Sequence, residues 1–139
     1  MVYAVEDDDR HKARLATNCH LTNMPVDSVY SSVVSLRGLH LVIFLGELNN
    51  LLIWTTDVGN AYLEARTKEK VYIIAGSEFG EIQGHTLIIL KALYGLRSSD
   101  LSWYERFADT LYDMNFRTTK VEDDIWARRN GNVYEYIAT

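Results

Sequence analysis

Cysteine is nearly missing from this chain: the single thiol, Cys19, cannot close an internal disulfide, which excludes a disulfide-framed fold and fits a reducing compartment. Proline is equally scarce, with one in 139 residues, so proline-rich linkers and collagenous architectures are excluded. No internal repeat or low-complexity tract is present. Apolar runs stop well short of the roughly 20 residues that a membrane span needs. The greasiest stretch, LHLVIFLGELNNLLIW, is broken by Glu47, Asn49 and Asn50 and reads as a buried helix. The first residues, MVYAVEDDDRHK, lack the basic start and apolar centre of a secretion signal. Cationic excess is absent too: a net charge of −5 argues against a free-standing nucleic-acid binder held by a basic surface. His11, His20, His40 and His85 show no metal-ligand spacing with Cys19, so no zinc is assigned.

What remains is globular composition, 47% hydrophobic and 24% charged, in a length that suits one domain. Residues 1–10 hold the acidic run EDDD and are expected to be a solvated, mobile end. From Ser31 to Asn50 the apolar residues are dense enough for a helix, and their broad spread predicts that most of it is covered by protein. LLIWTTD is rich in β-formers and predicts a buried strand ending at Asp57. EKVYIIAG and TLIILKA read as two further strands that pair, with turns at Gly76, Gly80 and Gly84.

A second helix is marked by Ser102 three residues before Glu105, a capping-box spacing, with Leu101, Tyr104, Ala108, Leu111 and Met114 on one face and Asn115 suited to end it. IWARRNGNVYEYIAT is a hairpin signal, with Asn130 and Gly131 suited to a type I′ turn. Its second strand reaches Thr139 with no turn residue behind it, which reads as an interrupted strand. Such an edge is expected to promote self-association. The pair Asp123 and Asp124 stands at the hairpin's entry and reads as a solvated turn.

The chemistry concentrates at TTDVGNAYL. A strand core that runs into an ionised side chain ends at water or at a metal, because burying an unpaired carboxylate costs several kcal/mol. Asp57 is therefore a site candidate, or else a strand-end acid or helix N-cap. On the same residue-level reading Tyr62 is an amphipathic core aromatic, Lys12 and Arg14 are surface cations, and Tyr94 with Gly95 forms a strand-to-helix turn.

Five blocks then fall in the order of one family. HKARL, SSVVSLRGL, TDVGNAYLEA, KALYGLRSSDLSWYERF and WARRNGNVYEYIAT together resemble the reverse transcriptase domain of copia-type LTR retrotransposons. The resemblance implies an α+β fold, mainly antiparallel sheet with two packed helices. Fingers-like parts would lie at about 11–50 and 68–97, and palm-like parts at about 51–67 and 98–139. It implies nucleotidyl transfer with two magnesium ions, for which carboxylates at strand ends are the suitable ligands. Asp57 would be the first metal-binding aspartate, with the Val58 carbonyl as a second oxygen ligand. Gly59 and Asn60 would turn the backbone beneath a triphosphate, and Tyr62 would lie under the incoming sugar and exclude a 2′-hydroxyl by collision. Lys12 and Arg14 match basic finger positions near phosphate or template; Tyr94, Gly95 and Arg97 match a block that shapes the nucleotide pocket.

The partners implied are an RNA or DNA template-primer and deoxynucleoside triphosphates, with no membrane. The setting implied is intracellular, cytoplasmic, and a virus-like particle in an intact element. In the family the last strand continues into an aromatic-Val-Asp-Asp turn that carries the other two metal-binding carboxylates. This sequence stops before them, so a fragment inactive on its own, with magnesium weakly held or absent, is expected. Ser32 and Asp100 stand where the family pattern has proline, and Asp100 is expected to repel a triphosphate. The alternative is a non-catalytic α/β binding or interaction module that kept the scaffold.

Overall fold

The computed structural model describes residues 2–5, 9, 11–16 and 31–139, and for residues 2–4, 12 and 14 the backbone alone. Among them the chain forms helices and small antiparallel sheets, an α+β arrangement. It divides into two units, Met1–Tyr30 with Asn60–Arg106, and Ser31–Gly59 with Phe107–Thr139.

In the first unit β1 (Val2–Val5) pairs antiparallel with β2 (His11–Arg14), from Val2 opposite Arg14 to Val5 opposite His11. Residues 2–5 are thus a paired strand, not the free end expected of them. β3 (Arg66–Ile74) and β4 (Thr86–Lys91) form the anticipated antiparallel pair, with Val71 opposite Ile89 and Ile74 opposite Thr86. Exposure alternates strictly along β3, as a sheet with one sheltered face requires. Between them a 3₁₀ segment, Ser77–Ile82, leads into the return strand. Gly80 and Gly84 take positive φ there (58° and 80°), whereas Gly76 is extended and needs no such freedom.

α2 spans Ser99–Asp113, four residues more at its start than a cap at Ser102 predicts. The Ser102 amide already donates to the Ser98 carbonyl at 2.9 Å, which puts Ser102 inside the first turn. Its hydroxyl is buried with no partner among the described residues, and Glu105 instead holds Lys68 Nζ at 2.6 Å. The S-x-x-E pattern therefore marked the first turn without marking the cap. The far end is as expected: Asn115 has φ of 66°, its amide donates to Tyr112, and the Phe116 amide reaches back to Leu111. That pair of bonds is a Schellman ending, and it brings Phe116 over Leu111.

In the second unit α1 (Leu36–Leu48) is capped by Ser35, whose Oγ accepts from the Gly38 amide at 3.0 Å. It closes with a second Schellman pair around Asn50, φ 51°, with Leu51 donating to Gly46 and Asn50 to Glu47. The cover expected over this helix is not there among the described residues. Only Gly38 and Gly46 are buried, while Leu36, Phe44 and Leu48 are exposed. The helix is approached through its glycines: a Cβ at Gly38 would overlap the Glu122 carboxylate, and one at Gly46 would meet the Ile53 side chain. Its larger apolar residues point elsewhere.

β5 (Arg117–Thr118), β6 (Ile125–Asn130) and β7 (Val133–Ala138) form an antiparallel sheet in that order. The hairpin turn is centred one residue later than expected, on Gly131 and Asn132, because Asn130 pairs with Val133. Gly131 alone has positive φ (62°), which is the type II′ pattern with glycine first, not type I′. Ala108, Leu111, Phe116 and Trp126 make the buried cluster, with Phe107 and Ile137 packed against it. The Tyr112 ring meets Trp126 edge-on at 5.2 Å, and Arg128 lies 4.4 Å over the Phe116 ring.

No strand forms at 51–58. The predicted LLIWTTD strand is irregular and largely exposed, with Leu52 85% and Trp54 84% accessible. Every sheet among the described residues is built from other segments, so this stretch has no ladder to join.

Candidate functional site

The site candidates separate by unit. In the second unit Asp57 and Val58 sit at the end of the irregular stretch, both exposed. The Asp57 carboxylate is exposed and makes no hydrogen bond or ion pair with the other described residues. Gly59 follows with open space where a Cβ would stand.

In the first unit Asn60 takes a left-handed conformation, φ 55° and ψ 35°, and its carbonyl accepts from Leu63 at 2.8 Å to start the 3₁₀ turn Ala61–Glu64. Asparagine tolerates that region better than other non-glycine residues, so Asn60 sets the turn that carries Tyr62. Tyr62 is half-buried, and its ring centroid lies 5.9 Å from that of Tyr94 at a 59° tilt. Tyr94 bridges in parallel to Ala16, and Gly95 beside it has φ of 91°, open to glycine and strained for others. Leu96 donates back to the Leu93 carbonyl, and the Ser99 hydroxyl donates to the same oxygen at 2.6 Å. The KALYGL turn is thereby fixed to the start of α2.

Asp100, in the first turn of α2, accepts the Tyr62 hydroxyl through Oδ1. This bond, followed by partial burial and then the charges of Asp100 and Tyr94, pushes the Tyr62 phenol from 10.0 up to about 12. The expected repulsion of a triphosphate gave no hint of this pairing; an acid at the head of a helix was visible in the sequence, but its partner lies 38 residues away. Arg97 is half-buried in the same segment. Lys12 and Arg14 lie on β2 by backbone, and their side chains lie outside the described residues, as do Cys19 and His20 entirely.

The structure thus brings together Tyr62, Tyr94, Gly95 and Asp100. A second polar cluster, in the other unit, was missed. Asp124 is not solvated as expected: it is 3% exposed, and its Oδ1 accepts the Ser32 hydroxyl at 2.8 Å. Its carbonyl accepts from the Thr139 amide, and Ser35 donates by both amide and hydroxyl to Glu122. Asp123 remains exposed. Nothing in the local sequence separates the two aspartates.

A family profile described as Reverse transcriptase (RNA-dependent DNA polymerase) matches residues 2–138. The chain belongs to the reverse transcriptase family. Its curated relatives identify the copia-type retrotransposon branch. The Retrovirus-related Pol polyprotein from transposon TNT 1-94 of Nicotiana tabacum is 24% identical over 86% of this chain and 9% of its own length. The Transposon Ty1-NL2 Gag-Pol polyprotein of Saccharomyces cerevisiae is 30% identical over 76% of the chain and 6% of its own length. The Ty1-DR4 polyprotein is similar at 29% over 75% of the chain and 6% of its length. The chain therefore spans less than a tenth of the curated relatives it matches. No solved structure matches it. Among the described residues of this reverse transcriptase segment no helix is long and apolar enough to cross a membrane.

Proposed function

We propose that the chain carries part of the nucleotide-handling surface of an RNA-directed DNA polymerase and has no polymerase activity on its own. The observation that carries this reading is the meeting of Tyr62, from the DVGNAYL block, with Tyr94, from the KALYGL block. Two segments separated in sequence converge on one aromatic corner, beside Gly95, whose φ of 91° favours glycine. In this reading the fingers-like parts lie at about 11–50 and 68–97 and the palm-like parts at about 51–67 and 98–139. Tyr62 would lie against the sugar of a deoxynucleoside triphosphate, with Asn60, Gly95 and Arg97 around it and Lys12 and Arg14 toward phosphate or template.

The metal requirement sets the limit. Two-ion catalysis needs several oxygen ligands shared between ions about 4 Å apart. Asp57 supplies one carboxylate and Val58 one carbonyl, and among the described residues no group of three or more His, Cys, Asp or Glu is placed to hold an ion. These residues alone do not fit a two-magnesium site. In such a site Asp57 would be one ligand among several, and the described residues do not bring the others to it.

Primer extension on a primed template, with magnesium and then manganese, is expected to show no deoxynucleotide incorporation by the purified chain. Clear incorporation overturns the proposal of inactivity. Residual metal binding at Asp57 is tested separately through Trp54 fluorescence: a magnesium response lost in Asp57→Asn supports it, and a flat titration favours a scaffold kept for binding alone. The edge of β7, which pairs with β6 alone among the described residues, is also proposed to associate with a second copy. A single sedimenting species that stays monomeric as concentration rises would remove that part.

A further inference from the structure

Tyr62 is held at two points. Its ring leans on Tyr94, and its hydroxyl donates to Asp100, a residue that stands where the family pattern has proline. Proline offers no side-chain acceptor, so this second hold is a property of the present sequence. A tyrosine without a hydroxyl partner is free to turn about its side-chain bonds at little cost beyond the rotamer preference. An O–H donated to a carboxylate is among the stronger hydrogen bonds a side chain makes, and α2 anchors the acceptor because Asp100 lies in its first turn, where negative charge is favoured.

We infer that Asp100 is a positioning residue that clamps the Tyr62 ring and so strengthens the preference of this corner for deoxyribose over ribose. The inference rests on the reading of Tyr62 as the residue against the sugar. A ring excludes a 2′-hydroxyl only while it stays in place, and a clamp removes the escape by which a ribonucleotide would push it aside. The expected electrostatic penalty on a triphosphate is lessened by the same contact, because one carboxylate oxygen is engaged by the phenol.

The experiment compares the full chain with Tyr62→Phe, which keeps the ring and removes the hydroxyl, and Asp100→Pro, which removes the acceptor and is tolerated in a first helical turn. Binding of one deoxynucleoside triphosphate and its ribonucleotide counterpart is measured by ligand-observed NMR. In the same samples, selectively labelled tyrosines report each phenol's titration. The expected result has two parts. In Asp100→Pro the late-titrating Tyr62 phenol returns toward 10, and the deoxy-to-ribo preference falls by roughly fivefold or more in both variants, the range a partly exposed charged hydrogen bond allows.

A normal Tyr62 titration in the unaltered chain overturns the clamp. A shifted titration with an unchanged sugar preference in both variants also overturns it, if Tyr62→Ala abolishes the preference; in that case the reading of Tyr62 stands and only the role of Asp100 is lost. If the unaltered chain does not distinguish the two sugars or binds neither nucleotide, the reading of the site fails and the inference fails with it. A role for Asp100 confined to the helix terminus would lower thermal stability in Asp100→Pro and leave both readouts of Tyr62 unmoved.

Discussion

Residues 51–54 and 125–126 pose the same problem in one unit: a tryptophan with aliphatic neighbours in a short extended stretch. Their outcomes are opposite. Trp126 is 1% exposed beneath α2, whereas Trp54 is 84% exposed in a segment with no regular structure. Hydrophobicity does not separate them. What separates them is the supply of nearby partners: β6 is flanked by β5 and β7, each joined to it by a short connection, and the Asn115 ending lays Phe116 and α2 against its face. Closing such short loops costs little entropy, so the ladder and the core form together. Residues 51–58 lie between the Asn50 stop of α1 and the Gly59–Asn60 turn, and neither neighbour is a strand. Unpaired backbone groups then favour water over burial, and the side chains follow.

The comparison is broken most severely at Trp126. Trp126→Ala is expected to cost about 3–5 kcal/mol, enough to remove much of a small unit's stability. Urea unfolding followed by far-ultraviolet circular dichroism checks it; a loss under about 1 kcal/mol would mean that the cluster with Ala108, Leu111 and Phe116 is not the core.

The next effect is polar. Asp124 is buried, and Ser32 Oγ donates to it from 92 residues away. Ser32→Ala leaves that carboxylate short of a donor, at an expected cost of about 1–3 kcal/mol. Ser32→Pro, the family residue, removes the same hydroxyl and should also lose stability, because Asp124 loses the same donor. If Ser32→Ala unfolds at the same urea concentration as the parent, water satisfies Asp124 equally well and the bond carries no stability. Ser32 and Asp100 make a pair in this respect. Each replaces a family proline, and each forms a side-chain bond that proline lacks. Read as sequence these changes resemble drift; in the structure each has acquired a partner.

What could be read in advance divides along the same line. Asn50, Asn115, the β3–β4 pair and the β6–β7 hairpin are written in local chemistry: left-handed positions, alternation and tight turns. Tyr62 and Tyr94 were singled out through two separate blocks, and the structure brings their rings together. The burial of Asp124 and the acceptor for Tyr62 were not, because their partners lie far along the chain and no periodicity links them. The strand at 51–57 was misjudged for the complementary reason. β-propensity describes fitness for a pleated surface, and it does not supply the neighbouring strand.

Asn115→Ala tests the local half of that division. Placing a Cβ-bearing residue without asparagine's local hydrogen bonding at φ 66° should cost about 1 kcal/mol, and Asn115→Gly should be neutral or stabilising. Equal stability for Ala and Gly at this position would show that the turn relaxes away from the left-handed geometry.

The smallest effect belongs to Trp54. Because its side chain is already in water, Trp54→Ser should leave unfolding within about 0.5 kcal/mol of the parent, the ordinary range for surface substitutions. Its fluorescence should be red-shifted and open to acrylamide, while Trp126 stays protected. Dilution adds the decisive arm. If Trp54 is accessible at every concentration, the contrast with Trp126 belongs to the isolated chain and follows from the missing ladder alone. If quenching weakens as concentration rises, a second copy is covering residues 51–58, and the exposed stretch is an interface in solution. A Trp54 that resists quenching even at the lowest concentration would contradict the exposed conformation itself, and with it the explanation of why this segment and the β6–β7 hairpin part ways.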